Sequence, residues 1–207
     1  MTARLVLAAL ALAVIGCSLP PRPFTDEFYA PIRVRAGADA SPVAVFAFAD
    51  ERRIAEPTIV LEYETERDVP QAQHATRPVS AGVAHAFVRG LRARGFTVTD
   101  ATDRPYVGDH GPAGRAVVTG RVTEFGARVT RTGTILQTSQ QRVGCTVVTE
   151  VRDGSGRRVI ERPYSRVIEG AMMPVEPLAA LSRALADVVE QAVTDPELLA
   201  AIGSATR

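Results

Sequence analysis

Pro42 to Ala49 reads PVAVFAFA, apolar on both faces for seven residues after the proline and rich in β-branched and aromatic side chains. A strand solvated on one face alternates polar with apolar residues; a strand without that alternation has to be covered on both sides. The run therefore predicts a central strand, which requires a sheet with neighbours on both edges and a roof on each face. The charged stretch Asp50-Glu51-Arg52-Arg53 ends it.

The rest of the chain supplies those neighbours. Thr58 to Glu64 (TIVLEYE) predicts a short strand, and Thr65 to Pro78, polar and broken by proline, predicts a loop. Val79, Val83, Phe87 and Leu91 recur at four-residue spacing with Ala84 and Val88 beside them, which predicts an amphipathic helix over 79–94. Arg92 and Arg94 suit its negative dipole end, and Gly95 supplies the left-handed residue that stops it. A strand starts at Phe96, and Asp103 to Gly114 is a loop dense in glycine and proline. Ala116–Phe125, Gln141–Val151 and Arg157–Ile168 each alternate as strands; Arg131 to Ser139 joins the first two, and Asp153-Gly154-Ser155-Gly156 forms a hairpin turn between the last two. Pro177 opens a second long helix with the stripe Leu178, Leu181, Leu185, Val188 and Ala192, and Asp195-Pro196 ends it and caps a last short helix over 197–202. The expected fold class is α+β: a single, mostly antiparallel sheet with two long helices packed on one face.

The N-terminus predicts an address. Arg4 precedes an eleven-residue apolar run, Leu5 to Ile15, too short for the ~20 residues a membrane-spanning helix needs and suited to an export signal. The run ends Val14-Ile15-Gly16-Cys17, which resembles the lipobox of bacterial lipoproteins. The resemblance implies cleavage before Cys17, acylation of its thiol, and, because Ser18 is not aspartate, delivery to the periplasmic face of the outer membrane. The alternative is a simple secreted protein in which Cys17 is incidental. Expected organisation is a signal peptide over 1–16, the lipidated cysteine and a stiff proline-containing tether over 17–40, and one periplasmic domain over 41–203.

A leader of sixteen residues leaves 191 of 207, enough for one domain with a sizeable core. Formal charge is +1, so composition carries no nucleic-acid footprint. All 24 basic residues are arginine; coding bias in a GC-rich genome accounts for this better than a surface selected for bidentate recognition. With Cys17 acylated, Cys145 has no disulfide or metal partner, and its place in Val143-x-Cys145-x-Val147 predicts a buried, inert thiol.

Taken together, VAVFAFADER, a helix ending LRARGFTV, GRAVVTGRVTEF, a hairpin, RVIEGAMMP and a C-terminal helix resemble the YajG-type family of bacterial outer-membrane lipoproteins. Asp50 and Arg52 after the first strand, the Gly95-Phe96 helix stop, and Glu169-Gly170-Ala171 carry the sharper matches. The resemblance implies an envelope lipoprotein that works by binding rather than catalysis, as do curli-export, penicillin-binding-protein-activating and lipopolysaccharide-assembly lipoproteins with a similar element order.

No catalytic constellation is legible. His74, His85 and His110 lack helical ligand spacing, Gly154-Ser155-Gly156 lacks the spacing of a nucleophile elbow, and the glycines of 108–114 lack the residues of a phosphate loop. No metal or cofactor is expected. Asp50 and Arg52 are the candidate partner-binding pair, with a loop-pinning ion pair as the structural reading; the 65–78 loop is the other candidate surface. The expected function is a lipid-anchored, non-enzymatic protein that binds an envelope protein or glycan. The alternative is an accessory of lipid or lipopolysaccharide transport, and a hydrolase is the remote third.

Overall fold

The computed structural model describes residues 32–33, 41–65, 71–107, 114–132, 138–171 and 176–206. The PVAVFAFA run forms β1 (Pro42–Ala47) and β2 (Ala49–Asp50), split at Phe48. Phe48 turns its ring inward against Phe87, with centroids 5.0 Å apart, and over Gly120, where a Cβ would lie 3.1 Å from the ring. As the unalternating pattern requires, β1 is internal, with β5 (Thr97–Pro105) on one side and β6 (Ala116–Thr132) on the other. Val43, Ala44 and Val45 are all buried.

The sheet is mixed, which corrects the expectation of a mostly antiparallel one. β1, β2 and β3 (Ile59–Thr65) all run parallel to β6, and β1 runs parallel to β5. The 17-residue β6 is the spine. β1 pairs with its first residues, β2 with its middle, and β3 with Ala127 to Arg131, so three short arms succeed one another along one edge. Its other edge pairs with β7 (Thr138–Arg152), which pairs with β8 (Arg158–Ala171) to complete an antiparallel meander. Part of the expected 65–78 loop is also a strand: β4 (Gln71–His74) folds back on β3, with Ile59 opposite His74. β5 runs on to Pro105, and β6 and β7 extend into the expected 131–139 connection; residues 66–70, 108–113 and 133–137 lie outside those described.

Three helices cover one face. α1 (Val79–Arg94) has the predicted bounds and ends at Gly95, whose N–H donates to the carbonyls of Leu91 and Arg92 and whose φ of 110° turns the chain so that the Phe96 N–H also reaches Leu91. α2 (Pro177–Thr194) buries Leu178, Leu181, Leu185, Val188 and Ala192 as its stripe predicts. α3 (Pro196–Ala205) is longer than expected, and the Asp195 carboxylate caps it by accepting from the Glu197 amide at 2.9 Å. α2 and α3 sit on β6, β7 and β8, and α1 sits on β5 and β1. Val143, Cys145, Val147 and Val151 point from β7 into this core. Arg142, Thr146 and Glu150 alternate with them and face the other way, so β7 has an apolar helix side and a polar outer side.

Candidate functional site

Arg52 follows the exit of β2, and its side chain is 3% exposed. Nε and Nη2 donate to the two carboxylate oxygens of Asp50 at 2.8 and 2.7 Å. Nη1 donates to the carbonyls of Ile59 (2.8 Å) and Phe125 (3.0 Å), and Nη2 also donates to that of Pro57 (2.7 Å). All five guanidinium donors are therefore spent inside the protein. The planar fork ties the exit of β2, the 51–58 segment, the start of β3 and the middle of β6 into one knot, which a lysine with its single nitrogen could not reproduce.

The knot forms one wall of a cleft of about 210 Å3 on the outer side of the sheet. Ile54, Ile59 and Val60 give it an apolar side; Arg53, which is exposed, Arg128 and Arg142 give it a cationic one. Gly126 and Gly144 face each other across the β6–β7 ladder and make the floor. Gly144 is bare because Glu124 lies across it: a Cβ there would come 2.2 Å from Glu124 Oε1. Glu124 reaches over to Arg142, which also holds Glu169, and Arg128 pairs with Glu62 at 3.0 Å. A second shallow depression, lined by Thr130, Gln140 and Gly170, shares Arg128 and Arg142 with the cleft and extends it along the sheet.

Towards the other end of the same face, Arg121 meets Glu51, Glu150 and Glu161 at 3.3, 3.4 and 2.7 Å. The hydrogen bond from Arg121 holds the Glu161 carboxyl below the usual carboxylate range. The helix side has polar clamps of its own. Tyr164 donates to Asp195 at 2.7 Å, and Arg162 reaches both Asp195 and Glu197. Burial pushes the Asp195 carboxyl up, but the Tyr164 hydroxyl, the Glu197 and Leu198 amides and Arg162 outweigh it, and the net shift is downward.

One grouping was not visible in the sequence. β5 brings Asp100 and Thr102 to His85 of α1, with Asp100 Oδ2 3.4 Å from His85 Nδ1 and Thr102 Oγ1 3.2 Å from Nε2. The Thr102 hydroxyl is also 3.3 Å from Nδ1, almost as near to one ring nitrogen as to the other; it donates to Asp100 at 2.7 Å, and Thr102 is 4% exposed. A hydroxyl whose proton is committed to a carboxylate and which solvent barely reaches is not set up as a nucleophile. His74 lies apart, against Thr58 and Glu56, and His110 falls outside the described residues. Among the described residues no group of three or more His, Cys, Asp or Glu is placed to hold a metal ion.

Cys145 is fully buried, and burial, with a smaller contribution from Glu124, pushes its thiol pKa far up. Ser155 serves the β7–β8 turn: its amide and hydroxyl both donate to Asp153. Cys17 and the proposed leader lie outside the described residues, as does most of the tether. Among the described residues no helix is long and apolar enough to cross a membrane.

Neither a family model nor a curated protein matches the sequence. Among solved structures, the chain is similar to an uncharacterized protein at 14% identity, covering 75% of this chain and 92% of that one with a TM-score of 0.46. It is also similar to a DUF330-family protein from Xanthomonas campestris at 15% identity, covering 86% and 93% with a TM-score of 0.46. A minor lipoprotein from Acinetobacter baumannii is similar at 11% identity, covering 80% and 95% with a TM-score of 0.32.

Proposed function

We propose that this chain is a lipid-anchored, non-enzymatic lipoprotein of the bacterial envelope, held at the periplasmic face of the outer membrane through Cys17, and that it binds an envelope protein or glycan through the outer cleft. The carrying observation is the Val14-Ile15-Gly16-Cys17 sequence at the end of an eleven-residue apolar run behind Arg4. The resemblance to YajG-type lipoproteins supports the same reading. The cleft suits a polar partner: its rim offers guanidinium donors and carboxylate acceptors, and Glu124, lying over Gly144 on its floor, is itself an acceptor. Asp50 and Arg52 act there by holding the wall, while Arg53, Arg128 and Arg142 are the groups positioned to meet a partner.

A lipid carrier needs a continuous apolar groove. The exposed large apolar side chains among the described residues are Val107, Val159 and Val167, the last two eight residues apart on β8, which favours a polar ligand over a lipid.

The test is fractionation of cells making the wild type and Cys17→Ser, with mass spectrometry of the mature N-terminus, followed by photo-crosslinking from position 53 and from position 183 on α2. Acylated Cys17, release of the variant from the membrane, and a partner captured from position 53 alone are expected. An unmodified Cys17 refutes the anchor; capture from position 183 alone refutes the cleft; substrate turnover abolished by one side-chain change refutes the non-enzymatic reading.

A further inference from the structure

Two residues of the segment between Cys17 and the domain are held against the fold. Ile32 is half-buried and packs on the core where α1 crosses α2. The crossing is close because of Gly90: a Cβ there would fall 2.5 Å from Val189 Cγ1 and 3.2 Å from Val193 Cγ1, and it would lie 3.6 Å from the Ile32 side chain. Bare backbone at this helix position, which costs about 1 kcal/mol relative to alanine, lets Val189 and Val193 pack directly on α1, and Ile32 lies in van der Waals contact beside them. The next residue completes the attachment, as the Arg33 amide donates to the Glu190 carboxylate of α2.

We propose that Ile32 and Arg33 clamp the lipid tether onto the α1–α2 seam and so limit the reach of the domain from the membrane; this rests on the reading of Cys17 as the lipid anchor. Fifteen residue steps separate Cys17 from Ile32, and twenty-four separate it from Ser41, where the described domain begins. At about 3.3 Å per fully extended residue, the clamp cuts the maximum span from about 80 Å to about 50 Å. The seam lies on the helix side and the cleft on the opposite face of the sheet, so the point of attachment at Ile32 and Arg33 is on the side away from the cleft. A partner for the cleft is then met with the anchor behind the domain and within a fixed distance of the bilayer.

Two measurements test the clamp. In the soluble Cys17→Ser protein, hydrogen exchange of the Arg33 amide should be slowed at least roughly tenfold, the weight of one hydrogen bond to a charged acceptor, and the protection should disappear in Glu190→Ala and Ile32→Asp. Both positions are partly exposed, and unchanged circular dichroism will show that the fold is retained. An Arg33 amide that exchanges freely in the otherwise unaltered protein overturns the clamp. The second measurement uses the acylated protein in phosphatidylethanolamine–phosphatidylglycerol vesicles, with a donor dye on Ser155→Cys and acceptor-labelled lipid. Energy transfer should fall in Ile32→Asp relative to its parent; equal transfer overturns the limit on reach. Failure of the anchor reading looks different, since a protein without acyl chains would stay off the vesicles while the Arg33 protection remained.

Discussion

Replacing Arg52 with methionine keeps most of the unbranched stem and removes all five of its donors. Asp50 then loses its bidentate partner, and the carbonyls of Pro57, Ile59 and Phe125 lose donors at 2.7 to 3.0 Å. Removing one member of a buried pair costs about 3–5 kcal/mol, because the remaining charge stays desolvated. The Asp50 side chain is 16% exposed, so water can partly replace the guanidinium, and the low end, about 3 kcal/mol, is expected. For a domain of this size that is a drop of about 6–12 °C in melting temperature. Urea titration of the Cys17→Ser protein by far-ultraviolet circular dichroism measures it, with Asp50→Ala and the double variant closing a cycle; the double variant should be less destabilised than the two single changes added together. An exposed ion pair in the same place would be worth about 0–1 kcal/mol, so a loss below about 1 kcal/mol for Arg52→Met refutes the internal knot.

Cys145 should resist thiol reagents in the native soluble protein and react fully in urea; labelling at the unfolded rate without denaturant would contradict its burial. The Asp153 carboxyl, held at about pKa 2 chiefly by the Ser155 hydroxyl, contributes stability that is complete above its unfolded pKa and fades as pH falls towards about 2. Asp153→Asn should therefore flatten the dependence of the urea midpoint on pH between 4 and 2, and an unchanged slope would rule out that contribution. Asp195→Ala removes the α3 cap, the acceptor for Tyr164 and a partner of Arg162, and should cost at least about 2 kcal/mol in urea titration, whereas Tyr164→Phe should cost about 1 kcal/mol; equal losses would mean that the cap carries no weight. Gly144→Ala pushes Glu124 off its resting place from Cγ outward and should lower partner capture from position 53 while costing about 1 kcal/mol, since the partly exposed glutamate can swing towards solvent.

Where a pattern is local, the sequence was enough. The bounds of α1 follow from its four-residue spacing and from Gly95, and the β7–β8 turn follows from its glycine and aspartate residues. Parallel pairing leaves no such trace. β1 meets β6 across some seventy intervening residues, and nothing in either segment states the direction in which they pair. Gln71-Ala72-Gln73-His74 has no apolar alternation and so carries no strand signal of its own; β4 exists because β3 offers it a pairing edge. The outer ends of β6 and β7 carry no apolar alternation, since Thr130-Arg131-Thr132 and Thr138-Ser139-Gln140 are polar at every position. Arg52 and Arg53 are neighbours of identical type, yet one is inside and the other exposed, because only the folded chain brings three carbonyls to the first. Helical spacing relates His85 only to residues of its own helix, and the approach of Asp100 and Thr102 from β5 is a tertiary contact with no local signature.

The same chemistry serves two purposes on the two sides of the cleft wall, and the difference is solvent access. Arg52 is enclosed, and each of its donors has an internal acceptor, so exchanging any of them for a partner's group would leave a desolvated carbonyl or carboxylate behind. Arg128 and Arg142, at 55% and 47% side-chain exposure, pair with Glu62, Glu124 and Glu169 in water, where such a pair is worth about 0–1 kcal/mol. Giving up Glu124 or Glu62 for a carboxylate, hydroxyl or amide of an incoming molecule therefore costs little, because water rehydrates the displaced glutamate. The resting ion pairs also keep the rim close to neutral, which disfavours indiscriminate capture of polyanions while leaving directional donors in place. A rigid wall pinned by Arg52, a floor on which Glu124 lies over Gly144, and exchangeable pairs along the rim suit the recognition of a polar, hydrogen-bonding surface, and it is the wall, whose groups touch no partner, on which the shape of the site depends.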